Sequence, residues 1–209
     1  MRFFSVWTIW IAGYLAVASA SWAEPEVLDL TKEGDRKALE TAITETFKNS
    51  EPVVIFEKLA QTEPSPDPEK FPSSAFSDLH YLERFRSPIS IQRASSTLTL
   101  KDAQISSQIP GDPLSAKVSE LLLQDEELAA ATAKLGELTR VPMFLIAFGK
   151  NPIFHVSGQF RDLTIRQVLT AWARQAGQNY IRVIYDFSAS KNPSQKVVII
   201  DVRNFSSPL

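Results

Sequence analysis

Thr164-Ile165-Arg166-Gln167-Val168-Leu169-Thr170-Ala171-Trp172-Ala173-Arg174-Gln175-Ala176-Gly177 is the stretch whose reading decides the fold. Thr164 and Gln167 have the capping-box spacing, in which each side chain satisfies an orphan backbone donor of the first helical turn. Leu163 before the cap and Val168 inside it have the spacing of a hydrophobic staple. Ile165, Val168, Leu169, Trp172, Ala173 and Ala176 recur on one helical face, and Gly177 is the residue that most readily takes the positive φ that ends a helix. The helix must therefore lay an apolar stripe on something, and the β-rich runs around it supply the surface. Tyr180–Phe187 and Lys196–Val202 predict an antiparallel hairpin around the loop Ser188–Gln195, which contains Asn192-Pro193. On the other side, Ile153–Val156 predicts a strand leading into Gly158, after a turn at Gly149-Lys150-Asn151-Pro152.

Further out the pattern continues. Met143–Phe148 predicts a strand after Pro142. Asp112-Pro113 reads as a helix start, a capping carboxylate followed by Pro at the first helical position, with Leu114, Val118, Leu121 and Leu122 as its apolar face. Asp125-Glu126-Glu127 interrupts that face and reads as the start of a second helix, its acids at the positive end of the dipole, continued by Leu128, Ala131, Leu135 and Leu138. Ser96–Leu100 alternates like a strand. Towards the N-terminus, Leu39, Ile43 and Phe47 predict a helix between Asp35 and Lys48. It is broken by Pro52, which disfavours helix at the preceding residue, and Val53–Phe56 follows as a short apolar strand. A short helix at Ser77–Arg86 and a strand at Ile89–Gln92 complete the reading. Pro64, Pro66, Pro68 and Pro72 make residues 62–75 a stiff connector. The expected fold is α+β, with small strand–helix–strand repeats, helices packed on short β-sheets, and an N-terminal α/β segment in front. The expected divisions are 1–23, a signal peptide; 24–61, the N-terminal α/β segment; 62–75, the linker; 76–95, a connecting segment; 96–203, one domain; and 204–209, a tail.

The stretch 96–203 resembles the short N-terminal domain of secretins and TonB-dependent receptors, in which a strand–helix–strand unit is followed by a second one. Leu135-Gly136-Glu137-Leu138-Thr139-Arg140-Val141-Pro142 is similar to the end of that family's first helix and the start of its second strand. Phe154-His155-Val156-Ser157-Gly158-Gln159-Phe160-Arg161-Asp162-Leu163-Thr164 resembles the strand and capped start of its second helix. Val168-Leu169 through Gly177-Gln178-Asn179-Tyr180 resembles that helix, its terminal Gly and the next strand. The resemblance implies a non-catalytic interaction module in envelope assembly, secretion or signalling.

The N-terminus reads as a signal peptide of bacterial type. Arg2 is the positive end, Phe3 to Ala18 the apolar stretch, and Ser21-Trp22-Ala23 a small-x-small cleavage site, with Ala18-Ser19-Ala20 as the second possibility. The apolar stretch is at the short end for a bilayer span. The remaining chain, formally −2 and one unit more negative once Arg2 leaves, has no basic excess to attract nucleic acid. It contains no Cys, although export would permit disulfides, and two separated His residues, His80 and His155, make a poor zinc site.

No residue emerges as catalytic, cofactor-binding or metal-binding. Ser188-Ala189-Ser190-Lys191 has the S-x-x-K spacing of serine acyl-enzymes, but in those the Ser opens a helix and S-D-N and K-T-G motifs accompany it; here Asn192-Pro193 follows at once. The consecutive carboxylates Asp125-Glu126-Glu127 point to different sides of a helix. His155 stands without a nucleophile to serve, and Asn204-Phe205-Ser206 fits a glycosylation acceptor only in a eukaryotic secretory host. The sequence thus predicts a periplasmic or secreted, non-enzymatic chain, with no cofactor and no stable membrane insertion after leader removal, that binds an envelope protein. The alternatives are an exported hydrolase of unrecognised type or a small-molecule or glycan-binding protein. N-terminal sequencing of the exported chain is expected to begin at or near Glu24; recovery of an intact Phe3–Ala18 segment in the membrane fraction would contradict this.

Overall fold

The computed structural model describes residues 26–59, 88–94, 96–109, 111–145, 154–186 and 197–203. The expected signal peptide 1–23, linker 62–75, helix Ser77–Arg86, turn Gly149–Pro152, loop Ser188–Gln195 and tail 204–209 lie outside the described residues. Nine strands and four helices of four residues or more are described, an α+β mixture. They are β1 (Glu26–Leu28), α1 (Glu33–Phe47), β2 (Val53–Leu59), β3 (Ile89–Ala94), β4 (Thr97–Asp102), α2 (Ala103–Gln108), β5 (Lys117–Glu127), α3 (Leu128–Thr139), β6 (Met143–Leu145), β7 (His155–Thr164), α4 (Ile165–Gln175), β8 (Tyr180–Asp186) and β9 (Val197–Arg203). Seven strands form one sheet in the order β1-β3-β4-β2-β8-β9-β6, and β5 and β7 form a second, two-stranded sheet.

The large sheet is built around β2, which runs parallel to β4 on one side and to β8 on the other. Val53, Val54, Ile55 and Phe56 are all buried, because α1 covers one face of the sheet and the C-terminal helices cover the other. A strand buried on both faces reads as a continuous apolar run rather than as an alternation, which is why Val53–Phe56 looks short and unpatterned in the sequence. Val54 and Phe56 join Leu39, Ala42 and Ile43 of α1 in one core; Val53 and Ile55 join Leu135 of α3 and Val168 and Trp172 of α4 in the other. Residues 24–61 are therefore not a unit apart from 96–203. The expected boundary fails because the strand that closes the first segment is the central strand of the shared sheet.

The helix read from Thr164 is present as expected. Thr164 N–H donates to Gln167 Oε1 at 2.8 Å and Gln167 N–H to Thr164 Oγ1 at 3.3 Å, and Gly177 has φ +64°. The hairpin β8–β9 pairs antiparallel from Tyr180↔Arg203 to Asp186↔Val197. Trp172 is fully buried and meets Phe160 edge to face, ring centroids 6.0 Å apart. Gly136 of α3 is needed for close approach, since a Cβ there would lie 2.9 Å from the Val141 carbonyl oxygen.

The stretch 114–122 is the main correction. Asp112 does cap, accepting from Leu114 N–H, but only a 3-10 turn over Pro113–Ser115 follows. Lys117–Glu127 is then strand β5, antiparallel to β7. The helical spacing has a physical origin: Val118 and Leu121 are both buried although three residues apart. The strand's inside and outside exchange between them, opposite Asp162, whose φ of +55° interrupts regular extended backbone on β7. Leu122, expected inside, is 62% exposed. Asp125-Glu126-Glu127 ends β5 in a bulge and does not open α3, which starts at Leu128 with no acid in its first turn. The strand expected at Ile153–Val156 instead runs from His155 through to Thr164, because pairing with β5 carries it past Gly158.

Two outcomes follow. Fully burying each of Val53, Val54, Ile55 and Phe56 is worth about 1.5–3 kcal/mol, together comparable with the whole stability of a typical domain. A fragment of residues 96–203, which lacks β2, is expected to show no cooperative thermal transition by circular dichroism; a sharp transition would contradict the shared sheet. Trp172→Ala is expected to cost about 3–5 kcal/mol in a denaturant titration, and the folded Trp172 should show blue-shifted fluorescence and resist iodide quenching.

Candidate functional site

The most concentrated polar chemistry among the described residues sits at the C-terminal end of the parallel strands β4, β2 and β8. Glu57 extends the inward row Val53, Ile55 of β2, placing a carboxylate where an apolar side chain would otherwise fill the core, and it is fully buried. Arg166, in the first turn of α4, reaches it: Nε donates to Glu57 Oε1 at 3.0 Å and Nη2 donates to the same oxygen. Nη2 also donates to Asp112 Oδ2 at 2.9 Å. The Tyr185 hydroxyl on β8 donates to the other Glu57 oxygen at 2.8 Å, and Lys101 Nζ on β4 lies 3.9 Å from Asp112 Oδ1. Glu57 thus has both oxygens occupied, and Asp112 divides its two between Arg166 and its own cap.

A cation in the first turn of a helix opposes the helix dipole, and a guanidinium out of water is costly unless paired. Burial alone would lower the Arg166 pKa, but Glu57 and then Asp112 outweigh it, so that Arg166 is held more firmly charged than usual. Burial, reinforced by the Glu57 and Asp112 charges and the hydroxyl's bond to Glu57, raises the Tyr185 phenol well above its ordinary range. A firmly charged guanidinium and a phenol that stays neutral at neutral pH hold one carboxylate between them. Chemically this arrangement is a lock: it ties α4 to β2, β8 and the Asp112 turn.

None of these residues was singled out as a site from the sequence, and Asp112 was read only as a cap. Two signals could have found the group: a carboxylate continuing a doubly buried apolar strand in Val53-Val54-Ile55-Phe56-Glu57, and an Arg one turn too early in α4.

The residues weighed from the sequence fall elsewhere. His155 is exposed, and its Nδ1 lies 2.9 Å from the Asp125 carbonyl oxygen and 3.3 Å from Asp125 Oδ1. Asp125, at φ +51°, donates its N–H to Ser157 Oγ at 2.8 Å. Glu126 pairs with Lys134 at 2.7 Å, so Asp125 and Glu126 turn to different partners. Ser188, Lys191, His80 and Asn204 lie outside the described residues. Among the described residues no group of three or more His, Asp or Glu is placed to hold a metal, and no helix is long and apolar enough to cross a membrane. The cysteine-free composition holds throughout. No family model and no curated protein matches the chain.

Removing one partner from a buried pair leaves a bare charge and costs about 3–5 kcal/mol. Arg166→Met is expected to destabilise by that order in urea titrations. The triple variant Glu57→Leu, Arg166→Met, Tyr185→Phe is expected to recover most of the loss, because an apolar cluster replaces the charges. No recovery would contradict the lock. The raised Tyr185 pKa has a definite linkage sign. In the interval above about pH 10, the ordinary tyrosine value, the unfolded chain loses its phenolic proton while the folded chain keeps it. Stability is then present below that pH and is lost as pH rises through the folded value. Tyr185→Phe is expected to remove that part of the alkaline loss.

Proposed function

We propose that this chain is an exported, non-catalytic interaction module that binds a protein of the bacterial envelope through the exposed β6 edge of its larger sheet. The observation that carries the reading is β6. Among the described residues it pairs only with β9, at the end of the large sheet, and its Phe144 is 59% exposed on that edge strand. An edge strand offers unpaired backbone groups to an extended partner, and alternate side chains supply specificity. The order β5-α3-β6 followed by β7-α4-β8 supports the resemblance to the short domain of secretins and TonB-dependent receptors, since it is two successive strand–helix–strand units. Strands β1 to β4 are an addition to that pattern, and they extend its larger sheet. The leader expected at 1–23 supports an envelope location.

The test is a photo-crosslinking residue at position 144 of the full chain, expressed in cells that export it. The expected result is one dominant adduct with an envelope protein, absent when the same residue replaces exposed Glu40 on α1. Absence of any adduct at 144, with turnover of an ester or glycan substrate by the purified chain, would overturn the reading in favour of an exported hydrolase.

A further inference from the structure

The two-stranded sheet has two lateral edges, and the fold treats them differently. The outer edge of β7 is closed at Ser157 by a side chain: Ser157 N–H donates to Gln175 Oε1 at 3.0 Å, and Gln175 Nε2 donates to the Ser157 carbonyl oxygen at 2.8 Å. The carboxamide of α4 thus makes the pair of bonds that a neighbouring strand would make. Among the described residues β5 has no equivalent: it pairs only with β7 and is an edge strand of eleven residues. Open edges of that length are normally guarded by charged side chains, Lys above all, by Pro or by a bulge along the strand. From Ser119 to Gln124 β5 carries no Lys, Arg or Pro, its one charged residue there, Glu120, accepts a hydrogen bond from Gln159 Nε2 of β7 at 2.8 Å, and its bulge lies at the far end, between Leu123 and Glu126.

The side chains that β5 presents outward are opposite in charge on the two sides of its centre. Leu122 is 62% exposed in the middle. Lys117 is exposed at one end, and Asp125 and Glu127 are exposed at the other. Glu126 at that end is already paired with Lys134, and Asp125 Oδ1 lies 3.3 Å from His155 Nδ1. The strand is complementary to itself in the reversed direction. An antiparallel copy centred on Leu122 sets Leu122 against Leu122, and Lys117 of each copy against the Asp125–Glu127 end of the other. Ser119 and Glu120 then face Asp125 and Gln124. Opposite charges and apolar pairs directly across an antiparallel ladder are stabilising, and a patch that complements itself about a two-fold axis is what a symmetric dimer requires.

We propose that the occupant of the β5 edge is a second copy of this chain. The two β5 strands pair antiparallel about a two-fold axis at Leu122, forming a four-stranded sheet β7-β5-β5-β7 across the dimer. This goes beyond the partner-binding reading and is independent of it, since it leaves the β6 edge free.

The chain contains no cysteine, so a single introduced thiol reports on one position only. Leu122→Cys in the full exported chain is expected to form a disulfide-linked dimer under mild oxidation, because residues opposed at the axis have Cα atoms about 4.5–5.5 Å apart, within disulfide range. Gln104→Cys, at an exposed position of α2 outside β5, is expected not to. By light scattering, the unmodified chain is expected to show twice the monomer mass, and Leu122→Lys the monomer mass with an unchanged circular dichroism spectrum. Lys117→Glu and Glu127→Lys are each expected to weaken association about tenfold, and the double reversal to restore it, since both contacts are then inverted together. A monomeric unmodified chain would overturn the proposal, as would a dimer indifferent to Leu122→Lys or a charge swap without rescue. Binding of a Lys-rich extended peptide to a monomer would overturn it too, by assigning the edge to a basic partner strand.

Discussion

The architecture depends on the insertion of β2 between β4 and β8. That placement gives one strand two parallel neighbours and two covered faces, and it obliges Val53 to Phe56 to be apolar without interruption. It also merges two cores. The one under α1 and the one under α3 and α4 lie on opposite faces of the same strand, so neither can form its floor without it. The parallel contact with β8 has a folding consequence: it joins residues 53–59 to 180–186, a pairing of high sequence separation that is slow to form compared with the local β8–β9 hairpin.

The polar lock is the continuation of that strand. Where β2 leaves the middle of the sheet, its next inward residue is Glu57, and the fold answers with Arg166, Tyr185 and, through Arg166, Asp112. A group of this kind contributes little net stability over an apolar equivalent. Its effect is on arrangement. Only one placement of α4 against the sheet satisfies both oxygens of Glu57 while keeping the guanidinium off bare hydrocarbon, and a slipped helix would strand a charge. The same helix closes the β7 edge through Gln175 and ties the Glu51 carbonyl and the Ser96 hydroxyl through Arg174. One well-capped helix thus fixes both sheets, which is why its sequence is the most informative in the chain.

What the sequence revealed and what it hid divide along physical lines. α4, its cap and terminator, α1, and the β8–β9 hairpin were legible because their signals are local: side chains bonding their own backbone, a single apolar stripe, a run of β-branched residues. β5 reads falsely as helix because Lys117–Glu127 is rich in Glu and Leu and carries a false helical spacing made by the exchange of faces opposite Asp162. Its strand identity comes from β7, whose paired residues lie 28 to 47 positions away, and such pairing overrides propensity. The role of β2 was hidden for the same reason: four apolar residues state that they are buried and leave their neighbours unstated. The lock was partly legible, since Glu57 and Arg166 each break a local rule, but matching two violations across more than a hundred residues requires the fold.

Native-state hydrogen exchange, followed residue by residue, tests most directly whether β2 makes the described elements one cooperative body. The amides of Val54 to Glu57, of β4 and of β8 should exchange only through global unfolding, with one common free energy and one common dependence on denaturant. If the amides of residues 26–102 open together at a lower free energy while β5 to β9 stay protected, the two halves are separate units and β2 is not the element that joins them.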